Sequence, residues 1–127
     1  MNKETNSINW FDIPVTDLAR AKHFYQIAFS IHMEDMNMPG IEMSGFPAEM
    51  ESGRVSGALV KGGNSKPSTD GVVVYLNANP DMTEVLHRIE SEGGQVIMGK
   101  TSISPEIGYM AFFIDTEGNK LGLHSQE

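Results

Sequence analysis

Cysteine is absent from this chain, which removes a disulfide frame, a thiolate zinc site and a cysteine nucleophile at once. Tryptophan is nearly absent, with Trp10 the sole example. No run approaches the ~20 apolar residues of a membrane span, and the polar start from Met1 to Ser7 lacks the apolar core of a secretory signal. A cytoplasmic location is therefore expected. Basic residues are scarce as well: Lys and Arg number 9 against 17 Asp and Glu, for a formal net charge of -8. A nucleic-acid partner is disfavoured on that ground, because binding to a phosphate backbone draws most of its affinity from clustered cations. A neutral or cationic small molecule is easier to accommodate, although acidity that merely keeps a chain soluble reads the same way. Gly-rich phosphate loops, serine nucleophile motifs and paired zinc-binding histidine motifs are missing too.

What is present is the composition of one folded domain: 127 residues, 39% hydrophobic and 20% charged, enough to bury a sizeable core without staples. From Ile8 to Val15 the pattern places Phe11, Ile13 and Val15 on one strand face and Trp10 and Asp12 on the other. Thr16 or Asp17 then caps a helix whose buried stripe is Leu18, Ala21, Tyr25, Ala28 and Phe29. The unit recurs. Val72 to Asn77 reads as a strand, Asn79-Pro80-Asp81 opens a second helix with proline in its first turn, Met82, Val85, Leu86 and Ile89 form its stripe, and Gly93-Gly94 stop it.

Sliding the chain on itself by 64 positions lays Asp17 on Asp81, Ala21 on Val85 and Tyr25 on Ile89, which points to an internal duplication. Three strand-like runs follow each helix: His32 to Met38, Ile41 to Ala48 and Val55 to Lys61, then Gln95 to Ser102, Tyr109 to Asp115 and Lys120 to His124. Pro39-Gly40 and Glu117-Gly118-Asn119 mark hairpin turns. The expected architecture is α+β: a single domain of two βαβββ modules, about 8–61 and 71–125, joined by a Gly/Ser-rich connector over 62–70. Each helix covers one sheet face, and the uncovered faces are left to form a shared cleft or to pack on a partner.

Two stretches, I-P-V-T-D-L-A-R-A-K-H-F-Y and F-F-I-D-T-E-G-N-K-L-G-L-H, resemble signature segments of the vicinal oxygen chelate superfamily, the glyoxalase, bleomycin-resistance and extradiol dioxygenase group. The resemblance runs through both modules and implies a curved eight-stranded mixed sheet around a cleft. In the metal enzymes of that family, one side chain from the first and last strand of each module holds a divalent ion. Carried across, those positions fall on Trp10 and Gly122 and, through the 64-residue repeat, on Val74 and Ala58. A slip of one residue presents Asn9 or Phe11, Gly57 or Leu59, Val73 or Tyr75, and Leu121 or Leu123. Neither set offers the carboxylates or imidazoles such ions need, so no metal and no cofactor is expected.

The polar groups left on the cleft side by alternation are Asp12, Lys120 and His124, with Asp12 and His124 the acid-base candidates. Each also has a plainer role open to it, Asp12 as a structural acceptor and His124 as a solvated residue near the chain end. His23, His32 and His87 read as surface residues. Trp10 either stacks on a flat or cationic ligand or plugs the space of the missing ion. The hairpin from Met33 to Met50 holds Met33, Met36, Met38, Met43 and Met50, suited to an adaptable binding wall or to filling core gaps. The expected ligand-binding set is Trp10, Asp12, Met43, Ala58, Val74, Leu76, Lys120, Gly122 and His124. Two functions from different classes stay open: a metal-independent small-molecule binding protein, its ligand cationic or aromatic, or an enzyme of the same superfamily with displaced metal ligands or metal-free acid-base catalysis. The resemblance also implies a homodimer, with the cleft formed within one chain or across two.

Overall fold

The computed structural model describes residues 1–49 and 51–127; Met50, one of the hairpin methionines, lies outside them. Ten elements run in the order β1 (Trp10–Pro14), α1 (Leu18–Phe29), β2 (Glu34–Met38), β3 (Ile41–Gly45), β4 (Ser56–Lys61), β5 (Tyr75–Asn77), α2 (Thr83–Ser91), β6 (Gln95–Ser104), β7 (Gly108–Ile114) and β8 (Lys120–Ser125). The eight strands form two four-stranded sheets, β1-β4-β3-β2 and β5-β8-β7-β6. In each, the first strand pairs parallel with the last and the other pairings are antiparallel. Each module thus repeats one mixed topology, with β1 and β2 at the edges of the first sheet and β5 and β6 at the edges of the second.

Local chemistry explains the helix ends. The Asp17 carboxylate accepts the Arg20 N–H at 3.0 Å, a side-chain N-cap for α1. At the other end Ser30 adopts a left-handed φ of 54° and its N–H reaches Gln26 and Ile27 carbonyls, giving a C-cap without glycine. The second helix begins later than the sequence pattern suggests. Pro80 stays ahead of it, and Asp81 Oδ1 takes both the N–H and the hydroxyl of Thr83 at 2.9 and 2.6 Å, so the first turn is organised from Asp81. Among the described residues no helix is long and apolar enough to cross a membrane.

One core serves both modules. Ile13, Val15, Phe24, Tyr25 and Leu59 from the first pack with Leu76, Val85, Ile89, Phe113 and Leu123 from the second. The alternation on β1 is as expected, with Ile13 at 3% exposure and Trp10 at 44%.

The two segments that carried the family resemblance meet in space. The buried Tyr25 hydroxyl donates to Asp115 Oδ2 at 2.7 Å. Asp115 Oδ1 accepts the N–H groups of Glu117 and Asn119, whose amide in turn donates to the Pro14 carbonyl at 2.7 Å. Glu117 reaches the start of α1: its Oε1 accepts the N–H of Thr16 and of Asp17, and Oε2 pairs with Arg20 Nε at 2.7 Å. A carboxylate at a helix N-terminus complements the positive end of the helix dipole. Burial alone raises the Glu117 carboxyl, but Arg20, the two backbone N–H groups and the Thr116 hydroxyl outweigh it and hold its pKa at about 2. Burial first, then Asp115, pushes the Tyr25 phenol well above its ordinary range. These conspicuous residues fasten module to module.

Candidate functional site

The uncovered face of each sheet follows from register. In the first sheet Trp10, Asp12 and Ala58 share that face with Met43 and Met36, since Asp12 pairs with Ala58, Ala58 with Gly45, and Met43 with Met36. The Trp10 indole N–H donates to Asp12 Oδ1 at 2.9 Å, so ring and carboxylate are held against each other on the surface. Ala58 and Met43 are nearly closed to solvent, Met36 and Met38 are exposed, and Met33 belongs to the core. Of the described hairpin methionines, Met33 thus fills the core, while Met36 and Met43 stand on the uncovered face.

In the second sheet the expectation for the first strand is off by one residue. Leu76 is 7% exposed and packs in the core, and Val74 packs against the same core; both point to the helix side instead of the uncovered face. The strand cores of the two modules are 63 residues apart (Ile13 and Leu76, Val15 and Ala78), whereas the helix cores are 64 apart (Ala21 and Val85, Tyr25 and Ile89). One extra residue between β5 and α2 shifts the match. A shift of one reverses every side chain of a strand. Tyr75 and Asn77 occupy the uncovered face, and the position equivalent to Trp10 becomes Val73. The four metal positions then read Trp10, Ala58, Val73 and Gly122, a set with no oxygen or imidazole donor suited to a divalent ion. Among the described residues no three His, Asp, Glu or Cys side chains gather.

Tyr75 and Phe112, absent from the sequence-based site, build a platform there. Tyr75, Gly122 and Phe112 are consecutive partners across three strands. The Tyr75 ring lies over Gly122 so closely that a Cβ on residue 122 would stand 2.5 Å from the ring. Tyr75 and Phe112 ring centroids are 5.7 Å apart, and Lys120 Nζ sits 4.9 Å from the Phe112 centroid, within cation–π range. The one signal for this pairing was the glycine at 122, where a strand lacking a side chain admits a close approach.

The polar candidates separate into two places. Asp12 and Lys120 both line a small cavity of about 150 Å³, with Lys66 and Asp70. His124 lies four residues further along β8, about 13 Å from Lys120 at ~3.3 Å per residue, and its Nε2 is 2.6 Å from the Ile107 carbonyl oxygen. Asp12 and His124 are not brought together. A larger cavity of about 690 Å³ opens between β1 and residues 72–77 and takes in Val74 and Leu76. Trp10 lines neither cavity. His23, His32 and His87 are exposed, each beside a glutamate.

Comparison with known proteins agrees with this architecture. A family model described as Glyoxalase/Bleomycin resistance protein/Dioxygenase superfamily matches residues 7–123. A protein from Didymella fabae described as "Glyoxylase-like domain-containing protein" is 28% identical over 115 residues, 88% of each chain. Among solved structures, a glyoxalase/bleomycin resistance protein from Streptomyces sp. CB03234 superposes with a TM-score of 0.71 at 24% identity, over 94% of this chain and 100% of that one. Glyoxalase I from Zea mays superposes with a TM-score of 0.70 at 16% identity, over 92% of this chain and 45% of that one. At these identities the structures establish a shared fold.

Proposed function

Because the chain belongs to the Glyoxalase/Bleomycin resistance protein/Dioxygenase superfamily, we propose that it is a metal-independent binding protein for a flat aromatic small molecule. The observation that carries this reading is the platform of Tyr75 and Phe112 around Gly122, flanked by Lys120, on the face where the family's metal positions here hold Trp10, Ala58, Val73 and Gly122. An aromatic ligand stacks on such rings, and Lys120 and Asp12 are at hand to orient its polar groups. A cationic substituent is served by Asp12 and by the chain's net charge of -8. The same reading has the protein act in the cytoplasm as a homodimer, the second copy closing the open sheet faces.

The test is titration with aromatic amines and aromatic carboxylates, followed by Trp10 emission and by native mass spectrometry of the purified protein. Trp10, beside Asp12 on the same face, should report binding, and Trp10→Ala should weaken the ligand by on the order of 1 kcal/mol. Saturable binding that neither Trp10→Ala nor Lys120→Gln affects would place the ligand elsewhere. Light scattering that reports a monomer at micromolar concentration counts against the dimer. Metal-free proton transfer between Asp12 and His124 is the weaker alternative, since Asp12 shares a cavity with Lys120 and His124 lies about 13 Å along β8 from Lys120.

A further inference from the structure

β1 and β5 are edge strands of separate sheets and do not pair with each other, and residues from both line the cavity of about 690 Å³. That volume is ample for a small organic ligand. Its lining has an unusual composition. In a chain where 20% of residues are charged, none of the fourteen residues around this cavity is Asp, Glu, Lys, Arg or His. The charges of this region fall in the neighbouring small cavity, where Asp12, Lys66, Asp70 and Lys120 sit. The floor is aromatic: Phe11 and Phe46 have centroids 5.6 Å apart, and Phe29 and Ile31 extend the wall. Phe11 is pressed against Gly57, where a Cβ would stand 2.5 Å from the ring, so Gly57 leaves room for the ring as Gly122 does for Tyr75.

Three lining residues, Ser56, Tyr75 and Asn77, are polar without being charged, and the Ser56 hydroxyl already donates to the Phe46 carbonyl. Tyr75 and Asn77 are two residues apart and so on one face of β5. Asn77 Oδ1 is already used by the Asn79 N–H; the Asn77 amide nitrogen and the Tyr75 hydroxyl have no protein partner among the described residues. Two donors without a protein partner among the residues lining an uncharged, mostly apolar groove match a ligand carrying an acceptor oxygen on an otherwise apolar body.

We infer that the groove between β1 and β5 is a second binding site, sharing only Tyr75 with the platform, for an uncharged apolar molecule bearing a carbonyl or ether oxygen. Burying a charge there is disfavoured because no opposite charge lines the groove to compensate its lost hydration. An apolar ring system instead continues the core outward between the sheets.

The experiment uses two fluorescent probes with the same rings and different charge, 2-acetylanthracene and anthracene-2-carboxylate, titrated into the full chain. The neutral ketone should bind saturably and the carboxylate at least tenfold more weakly. Val55→Trp, which fills the groove from a half-buried lining position, should abolish ketone binding, and Ile8→Asp at the exposed rim should weaken it several-fold. Lys120→Gln should leave it unchanged, which separates this site from the proposed aromatic platform. Equal affinity for the two probes, or ketone binding that survives Val55→Trp in protein shown to be folded, overturns the inference. So does a chain that binds neither probe but changes oligomeric state with Val55→Trp, since the groove is then a contact between copies.

Discussion

Replacing Glu117 by glutamine removes one charge from the junction between the modules while preserving the side chain's shape. In the folded chain this carboxyl is held at about 2 against an ordinary 4.5, a difference linked to roughly 3 kcal/mol of stability at neutral pH. Its side chain is closed to solvent, but the Arg20 side chain opposite is 51% exposed, and solvent screening on that side brings the expected loss to about 2 kcal/mol. The sign follows from linkage. Because the folded value is depressed, the contribution is fully present above pH 4.5 and is lost as pH falls toward 2. Urea unfolding of both proteins at pH 7 and pH 3 measures it. Glu117→Gln should be less stable by about 2 kcal/mol at pH 7, and more than half of that gap should close at pH 3. A gap of equal size at the two pH values would refute the electrostatic account and leave only lost packing. Equal stability at pH 7 would refute the role of Glu117 altogether.

Tyr25→Phe deletes the hydroxyl bonded to the buried Asp115 and should cost about 1–3 kcal/mol in chemical denaturation, because the carboxylate loses a partner away from water. Gly122→Val drives a side chain into the Tyr75 ring; since Tyr75 is 49% exposed the ring can swing away, so melting temperature should change little while affinity for an aromatic ligand falls on the order of tenfold, readable by Trp10 fluorescence titration. Titration with nickel, zinc or manganese should leave the melting temperature of the untagged protein unchanged, since an ion bound only by the native state would raise it; a stoichiometric ion on the uncovered face would contradict the reading of Trp10, Ala58, Val73 and Gly122.

The fold was legible because its determinants are local and repeated. The alternation of Trp10 through Val15, the stripes through Ala21 and Val85, and the doubled order of elements all follow from periodicities that a linear string displays. The fixed repeat failed at one loop. The 64-residue spacing holds between the helices, but the extra residue ahead of α2 shortens the spacing of the strand cores to 63, and a period of two amplifies that single residue into a reversal of Val74, Tyr75, Leu76 and Asn77. The aromatic platform was lost from view with it.

By itself the sequence determined the class of fold, the two modules and the faces of β1, because each rests on neighbours along the chain or on a repeat of it. The tertiary structure alone decided that Asp115 and Glu117 belong to the joint with α1, about a hundred residues away in sequence, and that Asp12 shares a cavity with Lys120 and not with His124. It alone decided that Tyr75 lies over Gly122 and that an uncharged groove opens between two unpaired edges. Those relations depend on how two sheets twist and meet, and a linear pattern carries no term for the distance between strands that never pair.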